Sequence, residues 1–363
     1  MISVIINNHN YGEYIGQAIE SVLSQNFRDF EVVIVDGASS DSSREIIYEY
    51  VTGYPDRITS IMKTTSGQAA AINAGFAVCR GDIIALLDSD DCFLPGKLEK
   101  IALLHQKYDF VGTACKRSDG KNHDIPKDNA DNRQMLLRKY GFIYTYELTT
   151  SCISMSRRLA EQILPMPEEN YVTYADAYIK VLAQYQSNIY FCDEPYSLYR
   201  IHERNTMASS KKNKEMNIFL SKLYQNVFEN INERIKKAGL MPIPFLGRDN
   251  YKKAFCVANP RINLVKGKNY AIYGVGLNSY RLLRLKEIFS IDFVFAIDSD
   301  PNKQGGYWEG IKIISSQEAI DRRSEFEQIL IGATFYNEIS RSLVKQGLVE
   351  NEDFIGNIVI NDY

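Results

Sequence analysis

Short apolar runs alternate with helical patterns at the start of the chain. Three short runs are mostly apolar, as expected for parallel strands that are buried on both faces: Ile2–Ile6, Glu31–Val35 and Asp82–Leu87. Between them, apolar residues recur at the spacing of one helix face over Tyr14–Ser24 and Ser42–Tyr50. Strands that alternate with helices in this way predict βαβ units and a doubly wound α/β sheet.

A polar segment directly follows each of the three predicted strands. These segments are Asn7–Tyr11, Asp36–Asp41 and Asp88–Asp91. In doubly wound sheets, ligands bind beyond the carboxyl ends of the strands. We therefore expect the three segments to surround one crevice.

The middle of the chain predicts a mixture of elements. Asp119–Arg133 is polar and predicts a loop, Thr173–Gln184 has a helical period, and Ile189–Cys192 predicts a strand that ends in a turn at Pro195. The lysine-rich stretch Ser209–Cys256 predicts an amphipathic helical connector. Such a basic stretch also suits a peripheral contact with an anionic membrane surface.

A second α/β pattern begins near residue 265. Strands are predicted at Asn269–Tyr273, Phe293–Ile297 and Ile329–Ile331, with a helix at Ser279–Phe289. The turn Gly274-Val275-Gly276 gives this part a Rossmann-like start. The predicted domains are therefore residues 1–208, a helical connector at 209–262, and a smaller domain at 263–363.

Composition restricts the class of protein. The chain has 363 residues, of which 45% are hydrophobic and 24% charged, as in soluble globular proteins of two domains. A formal net charge of −3 lacks the basic field of a general nucleic-acid binder, so no nucleic-acid partner is expected.

Cysteine spacing and hydropathy bear on the compartment. The six cysteines form no C-x-x-C pair, which predicts reduced thiols in the cytosol. Neither a signal peptide nor an apolar run of about 18 residues is evident. We therefore expect a cytoplasmic protein that meets any membrane-borne substrate at the inner face.

The segment Asp88-Ser89-Asp90-Asp91 is the first candidate for chemistry. Carboxylates at a strand end can point into one crevice, and hard oxygen ligands suit Mg²⁺ or Mn²⁺ bound together with a diphosphate. A solvated turn, or a cap for the following helix, explains such a cluster about equally well.

Two further segments accompany the acidic cluster. Val32–Asp41 has the sequence V-V-I-V-D-G-A-S-S-D, and Gly67–Gly75 has G-Q-A-A-A-I-N-A-G shortly before Arg80-Gly81-Asp82. Over about residues 1–207, their order and spacing resemble the family 2 glycosyltransferases of the GT-A fold. The resemblance implies a GT-A-type nucleotide-diphospho-sugar transferase sheet with flanking helices, followed here by the helical connector and the smaller Rossmann-like α/β domain.

The resemblance also implies roles for single residues. Asp36 matches the residue that hydrogen-bonds the nucleotide base, Asp88 a residue near the ribose, and Asp90 the metal ligand. Asp176, in Tyr174-Ala175-Asp176, matches the general base at the head of the acceptor-side helix. The remaining implied donor contacts are His9, Asn10 and Tyr11 around the base, Asn73 beside the donor, and Arg200 and His202 near the diphosphate, where His202 is also a candidate metal ligand.

One segment and three single residues depart from the family pattern. Asn7–Asn10 replaces the usual P-T-Y-N loop, Gly37 the second Asp after its strand, Ile72 a common Arg, and Ala175 the Glu before the base. These changes leave the nucleotide and the donor geometry open, while the metal-site Asp and the base are kept.

The implied activity is inverting transfer of a sugar from a nucleotide-diphosphate donor, with UDP favoured. The implied acceptor is a hydroxyl of a glycan or lipid-linked glycan in bacterial surface-polysaccharide assembly. Two other classes compete: a nucleotide-dependent oxidoreductase or epimerase centred on Gly274 and Gly276, and a catalytically silent binding protein, for which Gly37 and Ala175 argue. The sequence leaves open the sugar, the linkage, the ligand of the last domain and the oligomeric state.

Overall fold

The computed structural model describes residues 1–120, 122–123, 130–140, 148–169, 174–205, 228–237, 239–244, 248–259, 261–332, 336–356 and 358. The chain divides into two compact units. The first comprises Met1–Gln134, Tyr146–His202 and Glu229–Ala238, and the second Met135–Thr145, Glu203–Phe228 and Gly239–Tyr363. Residues 209–227 of the predicted connector lie outside the described residues, so the connector stays a prediction. In the described ranges, no helix is both long enough and apolar enough to cross a membrane.

The first unit alternates strands and helices and then becomes mixed. Its described elements are β1 Ile2–Asn8, α1 Gly12–Leu23, β2 Phe30–Gly37, α2 Ser43–Gly53, β3 Ile58–Lys63, α3 Gln68–Val78, β4 Ile83–Asp88, β5 Cys92–Phe93, α4 Lys97–Leu104, β6 Phe110–Arg117, β7 Asn122–His123, α5 Ala130–Tyr140 (which runs on into the second unit), a 3₁₀ turn Thr150–Cys152, β8 Ile153–Ser156, α6 Arg157–Ile163, α7 Ala175–Gln186, β9 Ile189–Tyr199 and α8 at 228–237.

Among these residues, nine strands form one sheet in the order β3-β2-β1-β4-β8-β6-β9-β5, with β7 paired to β6. The four strands β3, β2, β1 and β4 run parallel, as the βαβ pattern predicts. Strand β8 is antiparallel to both β4 and β6. The carboxyl ends of β1, β2 and β4 therefore meet at one edge of the sheet.

Helices pack on the sheet through apolar faces that the sequence pattern predicts. Ile15, Ile19 and Val22 of α1 are fully buried in the main core cluster with the strand residues. Helix α3 approaches β1 so closely that a Cβ on Gly75 would lie 2.6 Å from Cγ2 of Ile5. A larger residue at this position would force the Ile5 side chain or the helix to shift.

Two predictions in the first unit are wrong. Asp119–Arg133 is not a continuous loop, because α5 already begins at Ala130. No turn at Pro195 ends a strand, since β9 runs through it from Ile189 to Tyr199. The pairing of β9 with β6 shifts register around Pro195, and such an irregularity accommodates a residue that lacks a backbone N–H.

The second unit has its own parallel sheet. Its described elements are α9 Arg248–Ala258, β10 Asn269–Tyr273, α10 Leu277–Leu282, α11 Arg284–Phe289, β11 Asp292–Ile297, β12 Tyr307–Trp308, β13 Ile311–Ile314, α12 Ser316–Asp321, a 3₁₀ turn Arg323–Glu325, β14 Ile329–Ile331, α13 Tyr336–Lys345 and β15 Phe354–Ile355. The strand order is β12-β13-β11-β10-β14-β15, with only β12 antiparallel to its neighbour among the described strands.

The helix predicted at Ser279–Phe289 is two short helices. The backbone N–H of Leu283 donates to the carbonyl oxygen of Tyr280, three residues back, and Lys286 bonds to Leu283 in the same way. Bonds of this tighter type interrupt the α-helical ladder.

The six cysteines are unpaired, as predicted.

A histidine after α4 is held in its neutral form. The ring of His105 contacts the Tyr108 carbonyl oxygen through Nδ1 and the Ser154 hydroxyl through Nε2, each at 2.9 Å. The carbonyl oxygen can only accept, so Nδ1 carries a proton, while Nε2 contacts a hydroxyl that also reaches the Val111 carbonyl oxygen at 3.4 Å. Burial lowers the pKa of His105 to about 4.

We expect His105→Gln to lose less stability on acidification than the wild type. The pKa of His105 is lower in the folded protein than in the unfolded chain. The neutral ring therefore contributes its full stabilisation of the fold above the unfolded pKa, and this stabilisation is lost as the pH falls towards the folded pKa. Between about pH 7 and pH 5 the difference should be about 1–2 kcal/mol. Urea unfolding at both pH values measures it, with Gln106→Ala as an exposed control. Equal acid losses in the wild type and the variant would contradict the assignment.

Candidate active site

The end of β1 joins the ends of the strands on either side of it. In the parallel registers, Asn7 lies opposite Asp88 of β4, and Asn8 opposite Asp36 of β2. Each asparagine donates a hydrogen bond from Nδ2 to its carboxylate, at 2.6 Å to Asp88 and 2.8 Å to Asp36. Successive side chains of a strand point to opposite faces, so one strand end orients a carboxylate on each face.

Asp36 is fully buried, and hydrogen bonds surround its carboxylate. Oδ1 accepts from the backbone N–H of Ser39 at 3.0 Å and from Nε of Arg44 at 2.9 Å. Burial alone would raise the pKa of Asp36, but the hydrogen bonds from Ser39, Arg44 and Asn8 outweigh it and lower the pKa below its ordinary value. Asp36 is therefore ionised at neutral pH. Its implied contact with a nucleotide base stays a prediction.

The loop after β1 is fixed against the loop after β2. Nδ1 of His9 donates to the carbonyl oxygen of Gly37 at 2.6 Å, and Oδ1 of Asn10 accepts from the Ser40 backbone N–H at 2.8 Å. Asn10 has a φ of 57°, a conformation that asparagine adopts more readily than most residues. The two loops therefore form one hydrogen-bonded unit, which also carries Tyr11.

Three carboxylates lie close together at the end of β4, those of Asp88, Asp90 and Asp91. One oxygen of each lies within 4.8 Å of the others. Burial and the charge of Asp90 raise the pKa of Asp88 to about 7, and burial with the charges of Asp90 and Asp88 raises the pKa of Asp91 well above its ordinary value. A bound cation would relieve the repulsion behind both shifts. Carboxylate oxygens so arranged fit the predicted Mg²⁺ or Mn²⁺.

Ser151 ties two members of this cluster together. Its hydroxyl donates to Oδ2 of Asp91 at 2.6 Å and accepts from the backbone N–H of Asp88 at 3.1 Å. The other oxygen of Asp91 accepts from the backbone N–H of Arg200 at 2.9 Å. Asp91 therefore acts as an internal anchor that also holds the segment after β9, and Asp90 contacts the same segment.

Asp90 is contacted by both Arg200 and His202. His202 places Nε2 2.9 Å from Oδ2 of Asp90, and its ring lies against Tyr14 (5.1 Å between centroids) and Tyr11 (5.6 Å). Nε of Arg200 donates to the carbonyl oxygen of Asp90 at 2.8 Å, and the guanidinium lies over the Tyr14 ring. Two of the implied donor residues therefore lie at the implied metal ligand.

Asp176 lies in the first turn of α7 and is buried. Nζ of Lys180, one turn later, is 2.6 Å from Oδ2 of Asp176 and also donates to the carbonyl oxygen of Leu148 at 3.1 Å. The charge of Asp176 is a further cause of the raised pKa of Asp88, after burial and Asp90, which puts the two carboxylates within electrostatic reach. Tyr174, just before the helix, has a strained φ of 61°.

Asn73 is engaged by a different segment. Its Nδ2 donates to the Met166 carbonyl oxygen at 2.9 Å and to Glu168 at 3.2 Å, and its Oδ1 accepts from the Met166 backbone N–H at 3.0 Å. The structure thus gives both ends of this amide an internal partner. The implied donor contact of Asn73 stays a prediction.

Three polar residues at the site were not singled out from the sequence: Gln68, Ser151 and Lys180. Lys180 carries a detectable signal, since a lysine four residues after an aspartate faces it on a helix. Gln68 stands directly after Gly67 in the G-Q-A-A-A-I-N-A-G segment, but nothing in that pattern says what it contacts. Ser151 falls in a stretch without a clear period, and its partners are distant in sequence.

In the second unit, the aspartate after β11 forms contacts within its own loop. Gly274, directly after β10, has a φ of 93°, which favours glycine. Asp298 follows β11, accepts from the backbone N–H of Asp300 at 2.9 Å and pairs with Lys303 at 3.0 Å. The carboxylate of Asp298 is thus bound within its own loop.

Two family models match the chain. Residues 3–164 match Glycosyl transferase family 2, and residues 267–353 match the family described as C2185-like, N-terminal. The first match covers the strands and helices that carry the Asp88–Asp91 cluster, and the second lies in the second unit.

Two of the matching relatives are glycosyltransferases that are similar to part of this chain. An uncharacterized glycosyltransferase of Nostoc sp. is 35% identical over 218 residues, which cover 58% of this chain and 67% of the relative. The putative glycosyltransferase EpsE of Bacillus subtilis is 39% identical over 116 residues, which cover 31% of this chain and 42% of that protein. The match thus spans less than half of EpsE.

Among solved structures, S. aureus TarS 1-349 in complex with UDP-GlcNAc is 18% identical, with a TM-score of 0.47 over 65% of this chain and 72% of that chain. A similarity at this level identifies neither a nucleotide nor a sugar for this chain. The family match and the Nostoc relative, together with the mixed α/β sheet and its flanking helices, confirm the predicted fold class. The chain belongs to glycosyl transferase family 2.

Proposed function

We propose that this protein is an inverting, metal-dependent transferase of a hexosyl or N-acetylhexosaminyl group. The donor is a nucleotide-diphosphate sugar, with UDP as the favoured nucleotide, and the acceptor is a hydroxyl of a glycan or lipid-linked glycan in bacterial surface-polysaccharide assembly. The observation that carries this proposal is the Asp88–Asp91 carboxylate cluster, within electrostatic reach of the helix that bears Asp176. The choice of nucleotide and acceptor rests on the family resemblance.

Asp90 and His202 are the residues that would hold Mg²⁺ or Mn²⁺. An ion bound there supplies positive charge to the departing diphosphate, a contribution of several kcal/mol. Arg200 orients this position, because its side chain holds the carbonyl oxygen of Asp90 at 2.8 Å. Asp91 is fixed by Ser151 and keeps the turn in shape.

Asp176 is the proposed general base. The acceptor oxygen forms a bond to the anomeric carbon while the bond from that carbon to the diphosphate oxygen breaks. The hydroxyl proton moves to the Asp176 carboxylate. Attack from the face opposite the leaving group inverts the anomeric centre. Lys180 fixes Oδ2 of Asp176, and we assign Oδ1 to the acceptor proton.

The remaining residues are proposed to bind the donor. Asp36 is kept ionised and can accept a hydrogen bond from a uracil N–H. The loop after β1, which is hydrogen-bonded to the loop after β2, would surround the nucleotide base. The proposed donor contacts are His9, Asn10, Tyr11, Asp36, Asn73, Asp88, Arg200 and His202.

The metal requirement can be tested together with the donor. Over a panel of nucleotide sugars in MnCl₂, we expect nucleoside diphosphate release from UDP-sugars, and excess EDTA should abolish it. Asp90→Ala should lose both rate and Mn²⁺-dependent UDP binding by calorimetry, because it removes the implied ligand. Asp56→Ala, an exposed aspartate of the same unit, is the control. Full turnover in EDTA, or GDP binding much more tightly than UDP, would overturn these assignments.

Asp176→Asn keeps the shape of the side chain and removes the proton acceptor. A general base contributes at least about 10²-fold, so turnover should fall by that factor or more. Binding of Mn²⁺ and UDP should change little, because their proposed contacts lie on other segments. Steady-state rates and calorimetry on the same preparation separate the two effects, with Asp56→Asn as control. A folded Asp176→Asn protein with a near wild-type rate would shift the role to Asp91, Glu168 or Glu169.

A further inference from the structure

One glutamine connects the two parts of the proposed catalytic site. Gln68 is the first residue of α3 and is partly buried. Its Nε2 donates to Oδ1 of Asp88 at 3.2 Å and to the Thr150 hydroxyl at 2.8 Å. Its Oε1 accepts from the backbone N–H of Ala175 at 2.9 Å. Ala175 is the first residue of the helix that carries Asp176.

The chemistry of the partners fixes which way this amide points. The carboxylate of Asp88 accepts hydrogen bonds, and the backbone N–H of Ala175 can only donate. Exchanging the nitrogen and oxygen of Gln68 would put a lone pair against the carboxylate and a donor against the N–H. The observed orientation is therefore the one that satisfies both partners.

The contact with Ala175 also has a structural reason to exist. The first backbone N–H groups of a helix have no partner within it. Among the described residues, α7 shows no side-chain cap hydrogen bond from its N-cap residue Tyr174. Gln68 of α3 therefore supplies an acceptor to the start of α7. The same side chain binds Asp88, so it links the start of α7 to the carboxylate cluster.

We infer that Gln68 is a positioning residue, which sets the separation between the metal-site carboxylates and the general base by joining Asp88 to the start of α7. The inference rests on the proposed function, since it assigns Gln68 an effect exerted through Asp176. Lys180 holds the Asp176 carboxylate within α7 itself, whereas Gln68 holds the helix relative to the cluster. Misplacement of a reacting group by about 1 Å can cost on the order of 10²-fold in rate.

A double-mutant cycle distinguishes positioning from general stabilisation. The rate measured is nucleoside diphosphate release from the most active nucleotide sugar of the panel, with water as the acceptor. We expect Gln68→Ala to lower kcat about 10- to 100-fold, with KM changed by less than about threefold. Added to Asp176→Asn, the same substitution should cause little further loss, because the group that it positions is already inactive.

Gln25→Ala is the matched control. Gln25 is a buried glutamine of the same unit whose Nε2 donates to the carbonyl oxygens of Ser21 and Leu94, and whose Oε1 accepts from the backbone N–H of Leu98 near the start of α4. It thus joins segments as Gln68 does, but these three hydrogen bonds include none to Asp88, Asp90, Asp91 or Asp176. Any loss in Gln25→Ala should be the same with or without Asp176→Asn. Equal losses from Gln68→Ala in both backgrounds would overturn the inference.

Gln68→Asn tests the reach of the side chain. It keeps the amide but is one methylene shorter, so it cannot span Asp88 and Ala175 together and should behave like Gln68→Ala. Wild-type kcat in Gln68→Asn, with the protein folded, would show that the bridge is not needed.

Hydrogen exchange gives a readout that needs no turnover. In the wild type, MnCl₂ with UDP should slow amide exchange in peptides that contain Ala175, because the bridge transmits ordering of the cluster to α7. In Gln68→Ala this slowing should be lost, while Mn²⁺–UDP binding by calorimetry persists. Equal slowing in both proteins would refute the bridge.

Failure of the proposed function has a different signature. If Asp176→Asn retains the wild-type rate, the assignment of the base is wrong, and the exchange experiment then decides whether Gln68 joins the two segments. If MnCl₂ and UDP do not bind the wild type, the proposed metal and nucleotide site fails, and unchanged exchange at Ala175 in Gln68→Ala without ligand would also reject the bridge.

Discussion

The candidate site depends on the parallel register of β1 between β2 and β4. This register sets Asn7 beside Asp88 and Asn8 beside Asp36, so two neighbouring residues orient carboxylates on opposite faces of the sheet. A slip of one residue would exchange the faces and separate both pairs. The apolar residues of β1 fix the register, because Ile2, Val4 and Ile6 are buried on one face and Ile5 on the other.

Neutral groups hold the crowded carboxylates in place. Asp88 accepts from the amides of Asn7 and Gln68, and Asp91 from the Ser151 hydroxyl and a backbone N–H. Arg200 lies beside the cluster, yet its guanidinium binds a carbonyl oxygen of Asp90. Amide and hydroxyl donors define positions without cancelling negative charge. Burial and mutual repulsion therefore still raise the pKa of Asp88 and of Asp91, and a bound divalent cation would relieve that repulsion.

The sequence predicts the parallel half of the first unit well, because buried strands and amphipathic helices impose different periods and the polar segments follow the strands. It fails where structure depends on distant partners. β9 continues through Pro195 because its pairing with β6 shifts register there, and no local pattern reveals that shift. The candidate acids were visible in motifs, whereas Gln68 and Ser151 were not, since each acts between segments distant along the chain.

Gly75 shows how far from the carboxylates the geometry of the site is determined. Its missing side chain lets α3 rest directly on Ile5, and the same helix carries Gln68 at its other end. A larger residue there would force either the Ile5 side chain or the helix to shift, and a shift of the helix would move Gln68 with it. The placement of Gln68 is therefore linked to packing in the core between α3 and β1.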